Sequence, residues 1–159
     1  MLGGAFTLMI RAATLSDLPE LLELERRCFA SDRLTRRQFH YMLTRANALM
    51  IVDELQGVVH AYALMLFSRS TSIARLYSLA VDSGVRGQGI GRRLVSACED
   101  AARACGRARL RLEIRKDNVA SIGLFAGLGY RRFGEYRGYY EDNTDVWRFE
   151  KSLGLMPGA

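Results

Sequence analysis

The sequence predicts an α/β domain with a mixed central sheet of about seven strands and about four flanking helices. Three observations carry this. Short apolar runs rich in β-branched or aromatic residues recur along the chain, and stretches with helical apolar spacing separate them. A tight Gln-Gly turn joins two of the runs as a hairpin, whereas later strands are separated by helices, so antiparallel and parallel pairing are both expected.

The elements follow in order. FTLMIRAA (Phe6 to Ala13) reads as a first strand. A helix follows over Ser16 to Phe29, with Ser16 as N-cap and Leu18, Leu21, Leu22 and Cys28 forming one stripe. A second helix starts at Thr35, where Thr35 and Gln38 have capping-box spacing, and buries Phe39, Met42 and Leu43. ALMIVDEL and VVHAYALMLF, joined by Gln56-Gly57, form the hairpin. SIARLYSLAV (Ser72 to Val81) is the next strand. After a glycine-rich loop, Ile90, Leu94, Val95, Cys98, Ala101, Ala102 and Cys105 recur at helical intervals as far as Gly106. ARLRLEIR (Ala108 to Arg115) alternates as a half-exposed strand does, and a helix from Asn118 to Leu128 ends at Gly129. RRFGEYRGYY and DVWRFEKSL, joined by the acidic turn EDNTD, supply the last two strands.

Length and composition narrow the function. A chain of 159 residues with 49% hydrophobic residues fits one domain, residues 1–159, and lacks linker-like or low-complexity blocks. The net charge of +6 comes from arginines interspersed with acids, which favours a compact anionic ligand over a nucleic-acid arm. Cys28, Cys98 and Cys105 contain no CxxC pair and read as reduced core residues of a cytoplasmic protein, the last two on one helix face. His40 and His60 lack ligand spacing, so no metal is expected. The apolar start is too short for a signal peptide or a membrane span.

The stretch VRGQGIGRRL sits between a strand and a helix, where a phosphate loop belongs. A P-loop fails on chemistry, for no lysine and hydroxyl residue follow the glycines. A dinucleotide fingerprint counted from Gly87 fails on sterics, because Arg92 occupies the position where a third glycine allows close packing. What survives is Arg86-x-x-Gly89-x-Gly91, with main-chain N–H groups aimed at a pyrophosphate and Arg86, Arg92 and Arg93 as nearby donors. The competing explanation is a tight strand-to-helix turn and nothing more.

LYSLAVDSGVRGQGIGRRLVSACEDAA resembles the acyl-coenzyme A loop of the GNAT acetyltransferases, whose signature is Arg/Gln-x-x-Gly-x-Gly/Ala, and the likeness continues through LEIRKDN, SIGLFAGLGY and RGYYED. Within that superfamily these segments resemble the bacterial ribosomal-protein-alanine and eukaryotic N-terminal acetyltransferases, whose motifs run Leu-Glu-Val-Arg-x-x-Asn, Leu-Tyr-x-x-Leu-Gly-Phe and Asn-Tyr-Tyr. The resemblance implies a GNAT fold splayed between its fourth and fifth strands, acetyl-CoA as acyl donor, and direct transfer to a primary amine. The implied acceptor is a protein or peptide N-terminus, a ribosomal protein included; for the chain itself, a monomer or a homodimer is expected. Acetylation of a small amine, or CoA binding without catalysis, remain alternatives. By the same resemblance, main-chain groups of Leu79 and Val81 hold the pantetheine arm, and the turn through Arg86, Gly87, Gln88, Gly89, Gly91 and Arg92 wraps the pyrophosphate. Asn118 lies near the pantetheine or the thioester and Phe125 beside the sulfur.

The chemistry asks for a base, because the attacking amine must be unprotonated. An α-amine titrates near ~7.8, whereas a lysine near ~10.4 costs about 3.5 kcal/mol more to deprotonate at neutral pH, so a modest base serves the former. The resemblance gives that role to Glu113; alternation alone places it beside Arg111 and Arg115 and allows a simple ion pair with either. Where relatives carry a tyrosine to protonate the leaving thiolate, this chain has Phe125, which has no proton to give. Tyr140, Tyr139, Tyr77 or water are left for that step, and Tyr77, Tyr139 and Tyr140 are expected at the substrate.

Overall fold

A computed structural model describes residues 8–138 and 145–154. The elements are β1 (Leu8–Ala12), α1 (Leu18–Cys28), α2 (Arg36–Thr44), β2 (Ala48–Leu55), β3 (Val58–Phe67), β4 (Ile73–Val81), α3 (Ile90–Ala104), β5 (Arg109–Arg115), α4 (Val119–Gly127), β6 (Arg131–Tyr136) and β7 (Val146–Ser152). The strands form one seven-stranded sheet in the order β1-β2-β3-β4-β5-β7-β6. All pairings are antiparallel except β4 with β5.

Local chemistry accounts for most boundaries. Gln56 and Gly57 take positive φ angles of 52° and 80°, as a two-residue hairpin turn requires. The box at α2 forms as expected: Gln38 N donates to Thr35 Oγ1 at 3.2 Å, and Thr35 N donates to Gln38 Oε1 at 2.8 Å. At α1 the expected cap is wrong. A single 3-10 turn, Leu15–Asp17, precedes the helix, and Asp17 rather than Ser16 gathers the local donors. Its Oδ2 accepts from Thr14 N at 2.8 Å while Arg11 donates to both of its oxygens. These contacts, led by the Arg11 hydrogen bond, hold the Asp17 carboxyl below the usual carboxylate range.

Helices cover both sheet faces. Ile90, Leu94, Val95, Cys98 and Ala102 of α3 pack with Phe125 of α4 on Leu110, Leu112 and Ile114. On the opposite face Leu18, Leu21 and Leu24 of α1 and Phe39 of α2 pack on Met50, Val52, Tyr62 and Leu64. Of the expected α1 stripe, Leu22 and Cys28 are only half-buried, and Leu24 and Glu25 take the deep positions. Cys105, expected in the core, is exposed because α3 ends at Ala104.

Glu25 is the unusual member of that second core. It is 2% exposed. Its Oε1 accepts from Tyr62 Oη at 2.5 Å and its Oε2 from Leu34 N at 2.7 Å, fastening α1 to β3 and to the segment leading into α2. Desolvation outweighs both bonds and pushes the Glu25 carboxyl up. With the folded value above the unfolded one of about 4.3, the protonated side chain's contribution is full below that value and fades as pH rises through the folded value. The stability advantage of wild type over Glu25→Gln, read from urea midpoints between pH 4 and pH 7.5, is therefore expected to shrink with rising pH. A constant or growing advantage contradicts this account.

Candidate active site

The parallel pairing of β4 with β5 is short. It covers Ile73–Arg75 against Arg109–Arg111 and then stops, so beyond Arg75 and Arg111 the two strands diverge. A cleft of about 1030 Å³ occupies the gap and its continuation over the N-terminus of α3. One wall is β4 from Arg75 to Val81; the other is β5 from Leu112 to Arg115, with Asn118, Leu124 and Phe125 of the α4 segment.

At this gap β4 keeps an unpaired edge. Asp82 N donates to His60 O at 2.8 Å, so by alternation Leu79 and Val81 direct their N–H and C=O groups away from β3 and into the opening. The Val81 carbonyl is already engaged, accepting from Arg86 Nε at 3.2 Å and from Cys28 Sγ at 3.5 Å. Cys28, expected as a core residue, is therefore half-buried and lines the cleft. Burial pushes its thiol up, and that of Cys98, deep in α3, to about 12, so neither is poised as a thiolate nucleophile.

The loop leading to α3 is shaped by φ angles. Asp82 Oδ1 accepts from Gly84 N at 3.2 Å and starts a short 3-10 turn over Ser83–Val85. Gly87 and Gly89 then adopt φ of 84° and 75°, in the region that disfavours side chains, and a Cβ at either would meet nothing within 4 Å. The space outside these glycines is open, and Gly89 is the N-cap of the fifteen-residue α3, where free amide hydrogens and the positive end of the helix dipole coincide. Gly91 differs: a Cβ there would contact Leu124 Cδ2 at 3.5 Å, so it sits between the loop and α4. Arg86, Gly87, Gly89, Gly91 and Arg92 line the cleft, whereas Gln88 is exposed outside its lining. Arg93 turns the other way and pairs with the fully buried Asp53 of β2.

Glu113 stands where the strands part, two residues past the last β4–β5 pair. Its Oε2 accepts from Arg75 Nε at 2.9 Å, which replaces the expected partners; Arg111 pairs with Glu150 and Arg115 with Asp117. Glu113 Oε1 has no hydrogen-bond partner among the described residues. The side chain of Glu113 is 8% exposed and that of Arg75 34%, so the pair is largely screened from bulk water. Tyr77 is the bulged residue of β4, lies under the Arg75 guanidinium at 5.2 Å and is 42% exposed at the cleft.

Two residues are more structural than expected. Asn118 caps α4, its Oδ1 accepting from Ser121 N at 3.1 Å. Phe125 is 3% exposed and meets Tyr130 edge-on at 5.2 Å, so it backs the cleft wall from within the core. Tyr139 and Tyr140 lie outside the described residues. Sequence reasoning missed Arg75, Cys28 and Glu25 as cleft residues. The signal for two of them was present: Arg75 interrupts an apolar strand, and Glu25 falls at a stripe position four residues after Leu21.

Comparison with known proteins agrees with this geometry. The model of the Acetyltransferase (GNAT) family matches residues 18–130. The N-alpha-acetyltransferase RimI of Mycobacterium tuberculosis is 28% identical over 158 residues, covering 91% of this chain and 92% of the relative. The ribosomal protein bS18 alanine N-acetyltransferase of Escherichia coli is 31% identical over 134 residues, 79% of this chain and 82% of the relative. The crystal structure of the ribosomal-protein-S18-alanine N-acetyltransferase from Escherichia coli superposes with a TM-score of 0.84 at 26% identity, covering 96% and 97% of the two chains. With its sheet parted beyond Arg75 and its glycine turn at the head of α3, this chain belongs to the GNAT acetyltransferase family and is an N-acetyltransferase.

Proposed function

We propose that the chain, acting as a single domain in the cytoplasm, transfers the acetyl group of acetyl-CoA to the N-terminal α-amine of a protein or peptide, a ribosomal protein being one acceptor. The observation that carries this reading is the parted sheet, which joins an open glycine turn and a screened carboxylate in one cleft. The N-terminal acetyltransferase activities of the relatives from Mycobacterium tuberculosis and Escherichia coli support an α-amine as acceptor.

The residues fit the donor. The amides of Gly87, Gly89 and the first turn of α3 would hold the pyrophosphate in the open space outside the loop, with Arg92 and Arg86 adding charge, Arg86 on leaving Val81. Leu79 and Val81 would pair their inward main-chain groups with the amide-bearing arm, as a further strand would. Asn118, whose amide nitrogen the cap does not use, lines the same cleft. Acetyl-CoA supplies an activated acyl carbon: the amine nitrogen bonds to it, the C–S bond breaks and the sulfur leaves as thiolate.

Glu113 acts as the base. Arg75 fixes one carboxylate oxygen, and Oε1 is left to take the amine proton directly or through water. An α-amine asks little of that carboxylate, since about a tenth of it is neutral at pH 7. Phe125 leaves proton return to Tyr140, or to Tyr77 or solvent; a thiolate, whose acid titrates near ~8.5, is a competent leaving group without full protonation.

Two outcomes test this. Gly89→Trp is expected to abolish acetyl-CoA binding in calorimetry, while Gly89→Asn, which tolerates positive φ, retains most of it; full affinity in the tryptophan variant places the pyrophosphate elsewhere. Glu113→Gln is expected to lower kcat at least about 100-fold, within the range of general-base catalysis, with acetyl-CoA Kd changed less than about twofold. An unchanged kcat removes Glu113 from the chemistry.

A further inference from the structure

A second, smaller hollow of about 370 Å³ adjoins the cleft at Glu113. It lies over the face of β5 and β7 that carries Arg111, Glu113 and Arg148. Arg75, Arg111 and Arg148 line it against the single carboxylate of Glu113, with Ser68 and Thr71 at one side. Arg75 and Arg111 are neutralised by Glu113 and Glu150. Arg148 is not.

Arg148 is the direct cross-strand neighbour of Glu113, yet no ion pair joins them. Its guanidinium instead lies over the rings of Phe133 at 4.7 Å and Tyr136 at 4.4 Å, and its buried Nε has no hydrogen-bond partner among the described residues. Two aromatic contacts fix the plane of this cation without satisfying its donors, and an unsatisfied buried donor is costly. A planar cation that lines a hollow and has no carboxylate paired with it among the described residues is the partner a carboxylate needs. The hollow opens where the acceptor's amine meets Glu113, and cross-strand neighbours are only about 5 Å apart. Side chains near the reacting terminus of an acceptor are thus within reach of Arg148.

We propose that Arg148 forms, with Ser68 and Thr71 at the rim, a binding site for a carboxylate of the acceptor, so that the enzyme selects N-termini bearing Asp or Glu within their first three residues. This rests on the α-amine reading above and adds a substrate class to it. A nucleic-acid phosphate fits less well, because Arg111 and Arg148 both lie over Phe133 and leave little ring face for a base to stack on.

The test compares peptides identical except for Asp, Asn or Lys at position two or three, using wild type, Arg148→Met and Arg148→Lys. Wild type is expected to show kcat/KM for Asp over Asn of about tenfold or more at one position, with Lys lowest. That ratio falls to near one in Arg148→Met and recovers in part in Arg148→Lys, each variant serving as its own reference. Calorimetry of the Asp and Asn peptides with CoA-loaded protein reads the same preference as affinity, independently of turnover. Equal kcat/KM and equal affinity for the Asp and Asn peptides in wild type overturn the site, and so does a preference that survives Arg148→Met. If no peptide is accepted but free amino acids are acetylated in preference to their amides, the α-amine protein reading fails while the carboxylate site stands.

Discussion

Parallel strands that pair for three residues and then part are the constraint on which the rest of this structure depends. A fully zipped β4 and β5 would satisfy Leu79 and Val81 internally and close the cleft. Because pairing stops at Arg75 and Arg111, the main-chain groups of Leu79 and Val81 face the cleft instead of a neighbouring strand, with only side chains on the Val81 carbonyl, and such an edge can take a further partner. The two cores on either side keep the gap from collapsing. The α3 core holds the apolar side of β5, and the α1–α2 core, tied by Glu25 to Tyr62 and Leu34, holds the far side of β4.

Charge is then arranged around the opening in a consistent way. Arg86 and Arg92 gather at the head of α3, where the proposed donor would bring its pyrophosphate, and the Glu113 carboxylate lies in the same cleft, where the proposed reaction needs a base. Arg75 spans the gap to Glu113 at its narrow end, so the ion pair both bridges the strands and fixes the carboxylate that is proposed as the base. Arg111 and Glu150 repeat the arrangement one strand over, and Arg148 breaks it by having rings in place of a carboxylate. That break is what the proposed carboxylate site rests on.

Much of this was legible in the residues, and the limits have a physical reason. The Gln56-Gly57 turn, the Thr35 capping box and the strand-loop-helix around VRGQGIG are local signals, and each appears where its spacing puts it. The splay itself was implied by resemblance alone, since no residue marks where parallel pairing stops. Partners were harder. Alternation correctly put Glu113 on the face of Arg111 and Arg115, but its actual partner, Arg75, lies 38 residues away in sequence. The same limit hid the turning of Arg93 to Asp53, the retreat of Phe125 against Tyr130 and the approach of Cys28 to Val81. Each depends on which strands become neighbours, and periodicity reports faces, not neighbours.

The central claim is that the free edge of β4 and the glycine turn together receive the acyl donor. Titrating nitrogen-15-labelled protein with CoA and following the backbone amides tests it most directly. The account predicts that the amide signals of Leu79, Val81, Gly87, Gly89 and Ile90 shift together with one saturation curve, while those of β1 and β2 stay in place. Saturable shifts confined to other elements, or no shift at all, would contradict it.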